Sequence, residues 1–347
     1  MSSNITLVGD AIENPANALT MLHAAAMFGA TCRFRDTKGL ADSGSFFAGE
    51  LQAITSSEVQ ALHSRIIACD NLPGAEDVYG FNAGRNFALL VGNERRGLSR
   101  EFTTLATDRV QVPMHSRRIN CLNVAAASAV ALYYLCGPRV GGMAVRKDPA
   151  SRRPDILFCE PRDHFELGSA IRSAAGFGWE RAFIEDSHKV WFSCDRAVRS
   201  EGRAAARRGK NEIMLIPCSQ QASYAYSRVT VITRQQIGVP VHRLNLAGGS
   251  SQLIVMPDQS QNEFSLQRWT QSGSKVEFAH LQLPTAEFTY HYRLIATVAL
   301  AEISRQVGRR PAVKAPPGPQ RQIYDHALEQ LAKVGGETIK FEDLLKY

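Results

Sequence analysis

Apolar and polar positions succeed one another along the chain in a way that predicts short buried strands separated by helices. Residues 5–8 form an apolar run typical of a buried strand, and residues 15–28, rich in Ala, Leu and Met, indicate a helix that ends at Gly29. Strand, helix and strand in succession begin an α/β unit. The alternation of helices and strands continues with a helical pattern over 56–67, apolar strands over 87–91 and 110–112, and an Ala-rich helix over 122–135.

The pattern then starts again, which predicts an internal duplication. Residues 14–36 and 160–186 look like diverged copies, and when they are aligned on Gly29 and Gly178, His23 stands opposite Arg172. Agreement of several further segments in the same order favours duplication over chance: 253–256 with 89–92, 281–284 with 110–113, and 297–300 with 129–132. We therefore predict a first domain over 1–140, a second over 154–304, and a Pro- and Arg-rich linker with a C-terminal helix over 305–347.

Composition places the chain among globular proteins. Of 347 residues, 44% are hydrophobic and 8% aromatic, and no apolar run has the length of a membrane span. The N-terminal residues lack the features of a secretion signal, so we expect a cytoplasmic protein without a membrane partner. Seven cysteines without a Cys-x-x-Cys pair indicate reduced thiols and no metal site.

The net charge of +7 fits a polyanionic partner without requiring one. One window is especially basic and holds only Glu201 as a counter-charge; its members are Arg196, Arg199, Arg203, Arg207, Arg208 and Lys210. Three interpretations stay open: a solvated helix face, an interdomain contact, or a surface that follows RNA phosphates.

Three groups of residues in the first copy could carry chemistry. Asn17 lies on the first predicted helix. Residues 92–99, Gly-Asn-Glu-Arg-Arg-Gly-Leu-Ser, follow an apolar strand, where glycines let backbone amides approach a ligand. Pro113-Met114 leads to residues 120–123, Asn-Cys-Leu-Asn, which open the Ala-rich helix, and a helix N-terminus favours polar or anionic groups. Each group alone is also typical of an ordinary turn or helix cap.

Together and in this order, the three groups resemble the motifs of the SPOUT methyltransferases, in the SpoU/TrmH branch of RNA ribose methyltransferases. The first family motif is Asn followed six residues later by Arg, the second is Gly-x-Glu-x-x-Gly-Leu-Ser, and the third joins Ile-Pro-Met to Ser-Leu-Asn-Val. The resemblance covers most of residues 5–135 and, more weakly, about 155–303.

This resemblance implies two tandem α/β trefoil-knot domains that form an intramolecular pseudo-dimer, with the second copy degenerate. It also implies S-adenosyl-L-methionine as cofactor and RNA as substrate. Carried over by position, Glu94 and Asn123 are expected to position cofactor, substrate or partner motif. The cofactor-binding residues would be Leu90, Val91, Gly92, Asn93, Gly97, Val112, Pro113, Met114, Cys121 and Leu122.

The departures from the family pattern divide the site between the copies. The family's catalytic Arg is His23 in the first copy but is present as Arg172 in the second, where Glu166 replaces the Asn and the glycines of the second motif are missing. Because relatives build each site from two subunits, we expect a monomer with one composite site, in which Arg172 reaches the cofactor held by the first copy. An arginine is protonated at neutral pH, so electrostatic positioning is its expected role.

Other interpretations remain for these residues and for the chain. From pattern alone, Arg172 could be a helix residue in a surface ion pair, and His23 either a packed helix histidine or a general base. A protein that binds RNA or the ribosome without catalysis is the alternative function. A Rossmann methyltransferase or dehydrogenase is disfavoured because no Gly-x-Gly-x-x-Gly follows the first strand. The sequence does not distinguish rRNA from tRNA, or ribose from base methylation.

Overall fold

Strands and helices alternate along the chain and build two parallel β-sheets. The computed structural model describes residues 4–46, 49–71, 74–115, 122–144, 153–192, 213–218, 225–246, 251–256, 269, 275–284 and 292–308. Residues 4–144 are called the first half below, and residues 153–308 the second half. The predicted C-terminal helix lies outside the described residues, as does nearly all of the predicted linker.

The first half contains a parallel sheet with strand order β2-β1-β5-β3-β6-β4. Its central strands are continuous apolar runs buried on both faces, as expected of a parallel sheet covered by helices. The strands are β1 (Asn4–Asp10), β2 (Thr31–Arg35), β3 (Ile66–Cys69), β4 (Glu76–Asp77), β5 (Asn86–Val91) and β6 (Asp108–Gln111).

Four helices accompany this sheet in the described ranges: α1 (Pro15–Met27), α2 (Ser56–Leu62), α3 (Arg100–Leu105) and α4 (Val124–Cys136). α1 and α4 pack against each other, with the rings of Phe28 and Tyr133 edge to face at 6.4 Å. Proline in its first turn and an Asn14 side chain that accepts from the Ala16 amide start α1 where the sequence predicts.

The single helix predicted over 56–67 is wrong, because this segment holds a helix and then a strand. A capping box between Thr55 and Glu58 starts α2, which ends at Leu62. His63 is extended and buried, and its ring contacts the Thr6 hydroxyl and the Asn86 side chain, each at 2.9 Å. The following β-branched pair enters the sheet as β3, next to β5.

The second half repeats the strand order of the first. Its sheet runs β9-β8-β7-β12-β10-β13-β11, so that β8-β7-β12-β10-β13-β11 corresponds to β2-β1-β5-β3-β6-β4. Its strands are β7 (Asp155–Cys159), β8 (Arg181–Glu185), β9 (Met214–Pro217), β10 (Arg228–Thr233), β11 (Val239–Pro240), β12 (Gln252–Met256) and β13 (Lys275–His280); its helices are α5 (His164–Gly176) and α6 (Tyr292–Val307). Every strand pair in both sheets is parallel. The mixed α/β class predicted from the sequence is confirmed.

The halves contact each other through α4 and α6. Between these helices, the Tyr134 hydroxyl donates to the buried Glu302 carboxylate at 2.8 Å, and Arg305 donates to the same carboxylate at 2.7 and 2.9 Å. Alongside, the backbone amide of His115 donates to the carbonyl of Gly176 at the end of α5. The carboxyl-end loops of the first sheet are thereby held close to α5.

Two negative observations concern only the described ranges. None of the helices there is long and apolar enough to cross a membrane. No group of His, Cys, Asp and Glu in this part of the chain could hold a metal ion, and its five cysteines are free thiols.

Candidate functional site

A cavity of about 270 Å³ lies where the first sheet's central strands end. The carboxyl ends of β3, β5 and β6 supply its floor, the usual place for ligands in open α/β sheets. The N-terminus of α4 and one residue of α5 complete it. The lining residues are Asn17, Cys69, Asp70, Asn71, Val91, Gly92, Asn93, Glu94, Arg95, Gly97, Val112, Met114, Leu122, Asn123, Val124, Ala127 and Arg172.

The loop after β5 can fold as it does only with glycine at two positions. A Cβ on Gly92 would lie 2.1 Å from backbone atoms of both Gly97 and Leu98, so the loop returns directly over Gly92. Gly97 has φ +70°, in the left-handed region. Asn93 and Gly97 exchange two backbone hydrogen bonds, and the Asn93 side chain accepts from the amides of Arg95 and Arg96. The result is a tight loop with little conformational freedom.

Glu94 fixes this loop to the start of α1. Its carboxylate accepts from the backbone amides of Glu13 and Asn14 at 3.2 and 3.3 Å, and from the side-chain amide of Asn17 at 2.8 Å. Three N–H donors compensate one carboxylate charge. Glu94 therefore positions the loop that lines the cavity.

Asn123 extends this network to α4. Its side-chain oxygen caps the helix by accepting from the amides of Ala125 and Ala126, and its NH₂ group donates to the side-chain oxygen of Asn17 at 2.9 Å. Asn123, Asn17 and Glu94 thus form a chain of hydrogen bonds along one wall of the cavity. The chain connects the three motifs that the sequence singles out.

Arg172 enters the same cavity from the second half. It lies on α5, is 7% exposed, and its Nη2 donates to the backbone carbonyl of Leu122 at 3.4 Å. A guanidinium group from one half therefore faces loops of the other half. By contrast, His23, its counterpart on α1, is half-buried and does not line this cavity.

At the equivalent place in the second half, a tyrosine joins the corresponding strand and helix. Met256, which aligns with Gly92, ends β12, so the glycine under the first half's loop has no counterpart at this position. The Tyr292 hydroxyl, at the start of α6, donates to the Met256 carbonyl at 3.4 Å. The Tyr292 ring also packs edge to face on Phe158.

A buried ion pair occupies the second half's position for the first motif. Glu166, which aligns with Asn17, lies 3.1 Å from Nε of Arg293 and also accepts from the Arg293 backbone amide at 3.0 Å. Arg293 reaches across to α1, where it donates to the Thr20 hydroxyl and the Ala16 carbonyl. This pair connects the halves.

Eleven residues singled out from the sequence come together in the cavity, and the others do not. Leu90 is buried on the opposite face of the sheet, with Val8 and Phe102, because neighbouring strand residues point to opposite faces. Pro113 is buried beside the cavity without lining it. Outside the described residues lie Cys121 and the basic window of Arg196, Arg199, Arg203, Arg207, Arg208 and Lys210.

Sequence reasoning missed the end of β3, which contributes Cys69, Asp70 and Asn71 to the cavity. The available signal was a short apolar run followed by the turn residues Asp-Asn-Leu-Pro-Gly. Asp70 accepts from the amides of Asn71 and Leu98, and so supports the loop after β5 from the opposite side. Burial, and then the charge of Asp70, raise the pKa of Cys69 to about 12, so this thiol stays protonated at neutral pH.

Comparison with known proteins finds a family match within the first half. Residues 4–133 match the sequence profile of the SpoU rRNA Methylase family. No curated protein sequence matches the chain at a significant level.

Three solved structures illustrate the structural similarities. The SpoU methyltransferase AviRb from Streptomyces viridochromogenes, in complex with the cofactor AdoMet, is 26% identical over 39% of this chain and 57% of its own, with a TM-score of 0.32. An AdoMet-bound rRNA methyltransferase from Sinorhizobium meliloti is 23% identical over 39% and 56%, with a TM-score of 0.33. The A. aeolicus TrmH/SpoU tRNA modifying enzyme is 18% identical over 38% and 74%, with a TM-score of 0.33. The chain spans less than two thirds of the first two relatives.

Proposed function

Because residues 4–133 match the SpoU rRNA methylase family, we propose that the chain is an S-adenosylmethionine-dependent RNA methyltransferase with one composite active site. The proposed reaction is methylation of a ribose 2′-hydroxyl in rRNA or tRNA. The observation that carries the proposal is the position of Arg172, which lines a cavity otherwise formed by the first half.

The lining of this cavity suits the proposed cofactor. Apolar side chains such as Val91, Val112 and Met114 offer a surface for an adenine ring, and Asp70 and Asn71 add polar groups to the same lining. The tight loop at Gly92 brings backbone close to the cavity, which a side chain at that position would prevent. When bound, S-adenosylmethionine supplies an electrophilic methyl group.

Arg172 would act on the RNA hydroxyl by charge. In the proposed reaction, the ribose 2′-oxygen would form a bond to the methyl carbon as the sulfur–carbon bond broke and left its electron pair on the sulfur, and the hydroxyl proton would pass to solvent water. Negative charge develops on the oxygen as the proton departs, and a guanidinium group fixed by the Leu122 carbonyl can stabilise it. Asn17, Glu94 and Asn123 would hold the loops in place for this step.

One site per chain is proposed because, in the second half, Met256 stands where the first half has Gly92 and is bonded to Tyr292, while Arg293 is bonded to α1. The shared strand order supports an intramolecular pseudo-dimer, in which each half takes the place of one subunit. A trefoil knot in each half, domain limits near residues 140 and 154, and a monomeric, cytoplasmic chain belong to the same proposal.

Calorimetry with S-adenosylmethionine, followed by methyl transfer to total RNA, tests this function. We expect one cofactor per chain, transfer of methyl groups to RNA, and 2′-O-methylated nucleotides on mass spectrometry. Two equal sites would contradict the composite arrangement. Cofactor or RNA binding without transfer would favour the alternative, a binding protein on the same scaffold.

A further inference from the structure

The loop that lines the cavity also carries two arginines whose side chains take no part in the loop's internal hydrogen bonds described above. Arg95 lines the cavity and its side chain is 72% exposed; Arg96 follows it and is also exposed. Within the loop, the backbone amides of both residues are bound to Asn93. The two guanidinium groups therefore project from a backbone whose shape does not depend on them.

The charges around these arginines leave a cationic rim. Glu94, between Asn93 and Arg95, directs its carboxylate toward the start of α1, where three N–H groups compensate it. Arg95 lies 4.0 Å from Glu13, a contact that at this exposure contributes little and is also shared with Lys38 at 3.7 Å. Arg100, also exposed, begins α3 at the end of the same loop.

The rim arginines are exposed whereas Arg172 is buried, and this difference in exposure separates their roles. Arg172 is almost fully buried inside the cavity, where it can reach one group of a substrate. Arg95 stands at the cavity edge in solvent, where a guanidinium fork matches the oxygens of a phosphate. A nucleotide inserted in the cavity would leave its neighbouring phosphates at that edge.

We propose that Arg95 and Arg96 form a phosphate-binding rim that holds the RNA backbone next to the target nucleotide. This inference rests on the proposed function for the identity of the ligand. Its physical basis is a rigid loop that presents two cations beside a cavity, so that little conformational entropy is lost when phosphates bind. The basic window at residues 196–210 is not needed for it.

The test compares two charge-matched double variants. Arg95→Gln/Arg96→Gln removes the rim. Arg85→Gln/Arg139→Gln removes two exposed arginines at the other end of the molecule: Arg85 precedes β5, about 20 Å from the loop along the strand, and Arg139 follows the C-terminus of α4. Binding of a short fluorescein-labelled single-stranded RNA is measured by anisotropy at several KCl concentrations, and cofactor binding by calorimetry.

For the rim variant we expect weaker RNA binding and a slope of log affinity against log salt that is smaller by about 1.4, since each phosphate contact contributes about 0.7 on single strands. Cofactor binding should match wild type, and the control should keep the wild-type slope. An unchanged slope, an equal decrease in the control, or a loss of cofactor binding in the rim variant would each overturn the inference.

If wild type methylates RNA while the slope is unchanged, only the rim is refuted. If wild type transfers no methyl group while the slope difference persists, the proposed function is refuted and the rim stands.

Discussion

The side chain of Arg172 and the backbone of Leu122 are joined by a hydrogen bond, from Nη2 to the carbonyl oxygen at 3.4 Å. Arg172 lies on the first helix of the second half, and Leu122 lies two residues before the start of the last helix of the first half. The geometry of the cavity consequently depends on how the halves pack, and not on either half alone.

Replacing Arg172 by alanine should abolish most methyl transfer while leaving the cofactor bound. If Arg172 stabilises charge that develops on the RNA oxygen, its loss should lower kcat about 10²–10³-fold, as for other lost transition-state donors. The affinity for S-adenosylmethionine should stay close to wild type, because the remaining lining of the cavity belongs to the first half. Single-turnover methyl transfer and calorimetry measure the two effects separately.

Three variants control this prediction. Arg172→Lys keeps the charge but not the planar fork, and should recover only part of the rate. Arg162→Ala removes an exposed arginine before α5, and His23→Ala changes the counterpart on α1; both should keep the wild-type rate within a few-fold. A full loss in His23→Ala with normal transfer in Arg172→Ala would exchange the roles assigned here.

Asn17→Asp tests the chain of hydrogen bonds between Asn123, Asn17 and Glu94. The new carboxylate has the same shape but faces Glu94, where the Asn17 amide now donates at 2.8 Å, so attraction becomes repulsion. We expect destabilisation of about 1–3 kcal/mol and weaker cofactor binding.

The matched control is Asn14→Asp, which adds the same charge one turn earlier but keeps the side-chain oxygen that caps α1. Thermal unfolding and calorimetry of the two variants at neutral pH should separate them. Equal behaviour would mean that the bond to Glu94 does not hold the loop.

Gly92→Ala should disrupt the loop after β5. An added Cβ would meet backbone atoms of Gly97 and Leu98 at 2.1 Å, and backbone cannot yield as a flexible side chain can. We expect loss of cofactor binding with smaller changes in the rest of the fold. Gly141→Ala is the control, because nothing lies within 4 Å of its added Cβ. Calorimetry and circular dichroism compare the two; normal cofactor binding by Gly92→Ala would contradict the cavity's assignment.

Much of this site was predictable because its parts follow strong local patterns. Gly92 and Gly97 stand in a motif whose spacing reflects a backbone constraint, and Asn123 precedes an Ala-rich helix that needs a cap. The alignment of His23 with Arg172 predicted that the second half would supply the arginine, and the structure brings Arg172 to the cavity. Its chemical role stays a prediction.

The remainder depends on tertiary contacts that no local pattern encodes. The residues of β3 continue the apolar pattern of α2, and only their place beside β5 makes them a strand, so Asp70 was missed. The Tyr292 bond to Met256 and the Arg293 bridge to Thr20 join segments far apart in sequence. The sequence pattern predicted that the second copy has lost the family motifs, but it did not predict these contacts.

The pair of Arg65 and Asp108 should make stability depend on pH in acid. Two hydrogen bonds of 3.0 Å from Arg65 lower the pKa of Asp108 below its ordinary value of 3.8, with a further bond from Thr107. A carboxylate whose pKa is lower in the folded state than in the unfolded state stabilises the protein at pH values above its unfolded-state pKa. This stabilisation is lost as the pH falls through the folded-state pKa. Arg65→Met should cost about 0.5–1 kcal/mol at pH 7, and the difference from wild type should shrink below pH 4. Urea unfolding at both pH values measures it; a constant difference would contradict the pair's role.

The interface between α4 and α6 should be the most sensitive polar site in the described fold. Glu302 is fully buried, and alignment of residues 129–132 with 297–300 places Tyr134 at the equivalent position on α4, so that the two side chains meet between the halves. Burial, and then the charge of Glu302, raise the pKa of Tyr134 well above its ordinary value, which keeps its hydroxyl a donor.

Glu302→Leu leaves Arg305 without its carboxylate and should cost about 3–5 kcal/mol. Tyr134→Phe removes one hydrogen bond, leaves the Arg305 pair intact and should cost about 1 kcal/mol. Glu302→Gln, which keeps the shape and one acceptor oxygen, should fall between them. Urea unfolding gives this order directly, and a Glu302→Leu variant as stable as wild type would show that the halves are held by apolar packing alone.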